Sequence, residues 1–172
     1  MPDKVKVQLS FTESMAGYIC EEIKNPKKSE EKGKEKNNKI SFHARIKIDD
    51  VKDFIEKQEH EANLEGTLNY PPFGAEMKIE MGKFNLFSKD KDTDTKEMQY
   101  RFNFTSQTTG KKYYFIGIKE IERKLWDILD PLDPVKDMTT LFTRIYEGDA
   151  ESGKFVASGI LRFNLVDVPG FF

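Results

Sequence analysis

Between Ile40 and Ile48 the side chains take turns: Ile40, Phe42, Ala44, Ile46 and Ile48 are apolar, while Ser41, His43, Arg45 and Lys47 are polar. Successive side chains of extended backbone point to opposite sides, so a period of two marks a strand with one buried and one wet face. The alternation returns in Val5-Val7-Leu9, in Met77-Ile79-Met81, in Met98-Tyr100-Phe102-Phe104, in Tyr113 to Ile118, and in "TLFTRIYEG" and "KFVASGILRFNLVDV". Turn-forming stretches separate these runs: "NYPPFG", "SQTTGKK" and "DAESG". Such short connections cannot carry crossover helices, so the strands must pair antiparallel. The pattern predicts an all-β chain, an antiparallel β-sandwich or closed β-barrel of about 8–10 strands with one short helix. That helix is expected from a cap at Asp49 or Asp50 to about His60, with Val51, Phe54 and Ile55 as its apolar stripe.

Burial is obligatory, because 14 Phe and 6 Tyr in 172 residues need a core, and that length predicts a single domain over residues 1–172. One stretch is left out by its composition. Asn25 to Lys39, "NPKKSEEKGKEKNNK", has no large apolar residue and nearly balanced charges, which predicts a flexible charged loop at about residues 25–39. A less regular stretch, Glu120 to Thr140, holds Trp126 and "LDPLDP" and reads as a long connection.

Several function classes fall away. A net charge of −2 with acids and bases interspersed lacks the basic field that drives nucleic-acid affinity. No apolar run approaches the roughly 20 residues that cross a bilayer, and the start, "MPDKVKV", has no apolar signal core. A single cysteine, Cys20, excludes an intrachain disulfide and reads as a buried thiol. A cytoplasmic location is therefore expected, with signal-independent export left open.

The most open chemistry is "SKDKDTDTKEM", where Asp90, Asp92 and Asp94 stand at alternate positions like the first ligands of a calcium loop. Position 6 of such a loop needs glycine and position 12 a glutamate, but here they are Thr95 and Arg101. Lys89, Lys91 and Lys96 weaken the negative field further. The surviving metal reading is an end-loop calcium site of Asp90, Asp92 and Asp94, with Asp149 or Glu151 completing the shell; the competing reading is a solvated hairpin connection. His43 and His60 show no spacing with Cys20 that would hold zinc. Neither G-x-S-x-G nor G-x-G-x-x-G occurs, so no catalytic residue and no cofactor is assigned. An enzyme would need a cavity with two hydrogen-bonded polar groups from Glu13, Tyr18, His43, Arg45, Arg101 or Tyr146.

The segments "FTESMAGYI", "GTLNYPPFGAEMKIEMGKFNLF", "MQYRFNFTSQTTGKKYYFIGIKEI" and "TTLFTRIYEG" followed by "ASGILRF" resemble, in order, an accessory domain found beside bacterial glucose-methanol-choline oxidoreductases of the cholesterol-oxidase-like type and beside some α/β-hydrolase-like proteins. The matching positions are Phe11 to Gly17, Asp49 to His60, Gly66 to Gly74, Gly82 to Phe87, Tyr100 to Ile121 and Thr139 to Ile145. The resemblance implies a β-rich module without catalytic residues, since the flavin site belongs to the oxidoreductase portion. It also implies an oxidoreductase partner, acting in trans or lost. The lysine-rich stretch is a departure from the family pattern.

The expected function is a non-enzymatic binding module for a partner protein or a hydrophobic, lipid- or sterol-like ligand held among interior Phe, Met and Ile side chains. The alternatives are a small membrane-acting effector or toxin-like protein using the Phe171-Phe172 end, and an enzyme or enzyme accessory subunit.

Overall fold

A computed structural model describes residues 5–56, 61–90, 95–121 and 140–163. In chain order the elements are β1 (Leu9–Glu21), α1 (Pro26–Glu35), β2 (Lys39–Ile48), α2 (Val51–Glu56), β3 (Glu61–Tyr70), β4 (Gly74–Lys78), β5 (Glu80–Asp90), β6 (Thr95–Thr105), β7 (Lys112–Ile121), β8 (Thr140–Glu147) and β9 (Phe155–Phe163). Every strand pairing is antiparallel. β9 returns to pair with β1, and β2 with β3, so eight strands close into a barrel and β4 is added outside the ring. The choice between sandwich and barrel is thereby made. None of the described helices is long and apolar enough to cross a membrane.

Register carries the inward set around the ring in layers. One layer runs through Met15, Phe42 and Leu68; another through Phe102, Phe115, Ile145 and Ala157. Eight strands leave an interior that side chains just fill, so large residues require small neighbours. Tyr100 accordingly sits opposite Gly117. Phe102 and Phe115 stack with centroids 4.4 Å apart, and Phe42 meets Phe115 edge-on at 5.6 Å. β3 and β2 approach closely at Gly66, which takes φ +147° and where a Cβ would lie 2.0 Å from the His43 carbonyl oxygen.

One end of the barrel is corked. In the turn after β3, Phe73 folds inward, stacks on Tyr113 at 4.5 Å and meets Tyr70 edge-on at 5.1 Å. Its carbonyl accepts from the backbone N–H groups of Gln107 and Thr108 and from Ser106 Oγ. The Gln107 side chain then mimics a strand residue: it accepts from the Ala75 N–H at 3.2 Å and donates to the Ala75 carbonyl at 2.7 Å, protecting the edge of β4.

Two expectations need correction. Residues 25–39 are not simply loop, because Pro26–Glu35 is helical. Asn25 accepts from the N–H groups of Lys27 and Lys28, Pro26 opens the first turn, and small residues do the packing. Ser29 Oγ lies 2.7 Å from Ser158 Oγ, and Arg162 of β9 holds Glu30 with two hydrogen bonds. Composition hid this because α1 buries Ser29, Glu30 and Gly33 rather than an apolar stripe. The set Met77-Ile79-Met81 is also broken: Met77 and Ile79 are buried, but Met81 has φ +52° and is 79% exposed. The chain changes partner there, β4 pairing with the far half of β3 and β5 with its near half.

α1 sits so close to β1 that a Cβ on Gly33 would lie 2.5 Å from the Ile19 carbonyl oxygen. Gly33→Ala must therefore lift the helix off the barrel, and we expect it to lower stability by about 1–3 kcal/mol. Cys20, buried on the face that α1 covers, should then react faster with a thiol reagent. Urea unfolding and labelling rates equal to the parent's would show that the contact yields freely.

Candidate functional site

The end of the barrel opposite Phe73 is built differently. On β7, Tyr113, Phe115, Gly117 and Lys119 share the inward face, so the alternation that buries two rings also carries an amine inside. On β6, Tyr100 occupies an inward position, and on β1 Glu13 lies two residues from the inward Met15. Three strands thus aim a carboxylate, a phenol and an amine at one point.

The Tyr100 hydroxyl donates to Glu13 Oε2 at 2.7 Å, and Lys119 Nζ donates to the Tyr100 hydroxyl at 3.4 Å. Lys119 Nζ also lies 5.1 Å from the Tyr100 ring centroid and 5.6 Å from that of Phe163. Phe84 and Phe42 pack on the Tyr100 ring at 5.1 and 6.2 Å. Tyr100 is 1% exposed and Lys119 4%. Burial drives the Tyr100 phenol well above its ordinary pKa, and the Glu13 carboxylate pushes it the same way. Burial also lowers the Lys119 pKa, against the opposing pull of Glu13. Among the described residues, an ammonium with three donors has here one long hydrogen bond and two aromatic faces.

The wall above the group, along β1, is apolar. Phe11 and Leu9 precede Glu13 on the inward side of β1 and are 38% and 50% exposed. The polar trio therefore lies below two apolar side chains that are partly exposed among the described residues.

No family model, curated protein or solved structure matches this chain. Chemical reading of the site accordingly rests on its geometry.

The residues singled out from sequence are scattered. Of the six enzyme candidates only Glu13 reaches the trio. His43 stands on the outer face, 2.6 Å from Ser14 Oγ across the β1–β2 ladder. Among the described residues no acidic side chain is hydrogen-bonded to that exposed pair, so the third member of a nucleophile–base–acid arrangement is missing there. Arg101 points outward and donates to Asn85 Oδ1 at 2.6 Å. Asp90 ends β5, while Asp92 and Asp94 lie outside the described residues, as do His60, Trp126, Phe171 and Phe172. Among the described residues no three His, Cys, Asp or Glu side chains are placed to hold a metal ion. A recess of about 220 Å³ beside α2 is lined by Asp49, Asp50, Asp53 and Glu61. Its carboxylates already serve the fold: Asp50 accepts from the Lys52 N–H, Asp49 from Asn63, and Glu61 pairs with Lys83.

Proposed function

We propose that the barrel is a binding module for a small hydrophobic ligand with a neutral oxygen head, such as an alcohol, ketone or aldehyde of lipid or sterol type. The observation that carries this reading is Lys119 Nζ, almost wholly buried in an aromatic wall and, among the described residues, with one hydrogen bond of 3.4 Å. A buried ammonium is costly, and an acceptor oxygen delivered by a ligand would satisfy it. The apolar rim at Leu9 and Phe11 supplies the entry path for the rest of such a molecule.

Charge selects the head. Glu13 and Lys119 already balance one another across the Tyr100 hydroxyl, so an acid would place a second carboxylate within a few ångströms of Glu13 and be repelled. A neutral oxygen accepts from Lys119 without that penalty. Titration with decanol and decanoate, matched in chain length, tests the idea by calorimetry and melting temperature. Decanol should bind about ten-fold more tightly and raise the melting temperature. Preference for decanoate, or no binding by either, would sink the proposal.

The oxidoreductase partner implied by the resemblance is compatible with such ligand chemistry, and co-purification with a flavoenzyme would support it. A cytoplasmic setting rests on the lone Cys20, buried beneath α1.

A further inference from the structure

We infer that Lys119 is a carbonyl-reactive amine, and that Glu13 and Tyr100 form a proton relay allowing it to join an apolar aldehyde or ketone as an imine. This deepens the ligand-binding reading and rests on it. Three observations support the chemistry. The amine is held among rings, where its charged form is poorly solvated. Its hydrogen-bonded neighbour, the Tyr100 hydroxyl, can take a proton from it while passing its own to Glu13, because the carboxylate already accepts from that hydroxyl at 2.7 Å. The relay also ends on a carboxylate that stays beside the product as counter-ion. Burial lowers the amine's proton affinity in the same direction.

The steps balance. Lys119 starts as an ammonium and Glu13 as a carboxylate; one proton moves through Tyr100 to Glu13, freeing the nitrogen lone pair. That pair forms a C–N bond at the carbonyl carbon, and the displaced π electrons go to the oxygen, which takes the proton back from Glu13 through Tyr100. The nitrogen then releases a second proton along the same path. The carbon–oxygen bond breaks as the hydroxyl recovers that proton and leaves as water. The products are a protonated imine at Lys119, an ionised Glu13 and one water, with no oxidant or reductant consumed.

The expected result is found with the whole chain. Incubation at neutral pH with limiting decanal and sodium cyanoborohydride, which fixes an imine as a secondary amine, should label Lys119 at least about ten-fold faster than exposed Lys47, Lys83 and Lys112. Peptide mass mapping reads the sites. Glu13→Gln and Tyr100→Phe, checked for an intact melting transition, should slow labelling at Lys119 by about ten-fold or more while leaving the surface lysines unchanged. Lys119→Arg should lose the fast label altogether. Labelling of the parent that follows exposure, with Lys119 unmarked, overturns the inference, as do folded Glu13→Gln and Tyr100→Phe variants that react at the parent's rate. The two readings separate cleanly: decanol binding without a label at Lys119 removes only the imine, whereas failure of both removes the ligand site as well.

Discussion

Phe73→Ala should lower the unfolding free energy by about 3–5 kcal/mol, the range for truncating a buried aromatic side chain. Phe73 closes one end of the barrel with three rings around it: Tyr113 at 4.5 Å, Tyr70 at 5.1 Å and Phe104 at 6.3 Å. Neighbouring side chains cannot collapse into the space, because two of those rings stand on strands fixed by ladders on both sides and the third ends β3. The backbone of the plug is also tied down, since the Phe73 carbonyl accepts from Gln107 N at 2.7 Å and Ser106 Oγ at 3.2 Å. The cavity therefore stays open, which places the loss toward the upper end of the range. Guanidinium unfolding with an unchanged slope would report a pure stability effect. A loss below about 1 kcal/mol would mean that the plug is replaceable and the end is not sealed by this ring.

The strands were legible because alternation and burial are the same fact seen twice: Ile40, Phe42, Ala44, Ile46 and Ile48 are all inside. Closure was not legible. A sandwich and a barrel write the same alternation, and the difference lies in whether β2 pairs with the next strand β3 and β1 finds β9, the second a pairing across nearly the whole described sequence. α1 was hidden for a chemical reason, since this helix docks through glycine and serine, with its charged residues outside except Glu30, which is buried and pinned by Arg162. The cap at Asn25-Pro26 and the Ser29–Gly33 spacing were its available signals. The candidate site was half legible. Glu13 could be named as a polar group on a strand, and Lys119 could have been found as the one charged member of the set Tyr113, Phe115, Gly117, Lys119. That they meet through Tyr100 depends on three strands coming together around the ring, and this information resides in register rather than in any local pattern.

Lys119→Met is expected to raise stability near neutral pH by about 1–3 kcal/mol while abolishing the binding of a neutral-headed ligand. The sign follows from competing contributions. Taking an ammonium out of water retains a penalty of several kcal/mol even after relaxation, whereas the two aromatic faces return about 2 kcal/mol at most, the 3.4 Å hydrogen bond about 1, and the attraction of the half-buried Glu13 carboxylate is outweighed by burial, since the Lys119 pKa is lowered on balance. Methionine fills similar volume without the charge, and Glu13 keeps its hydrogen bond from Tyr100. The pH dependence checks the cause. Because burial lowers the Lys119 pKa, the unfolded chain binds the extra proton more readily between that lowered value and the ordinary 10.5, so parent stability rises with pH across this window. Lys119→Met lacks that rise, and its advantage should shrink as pH increases. At still higher pH the tyrosines act in the opposite sense: Tyr70, raised to about 12 chiefly by burial, holds its proton in the folded state after the unfolded chain has lost it, so both proteins lose stability above about pH 10. Parallel curves for parent and variant from neutral pH to pH 10 would show that Lys119 is solvated in the folded protein, and the case for a desolvated amine receptive to a ligand would go with it.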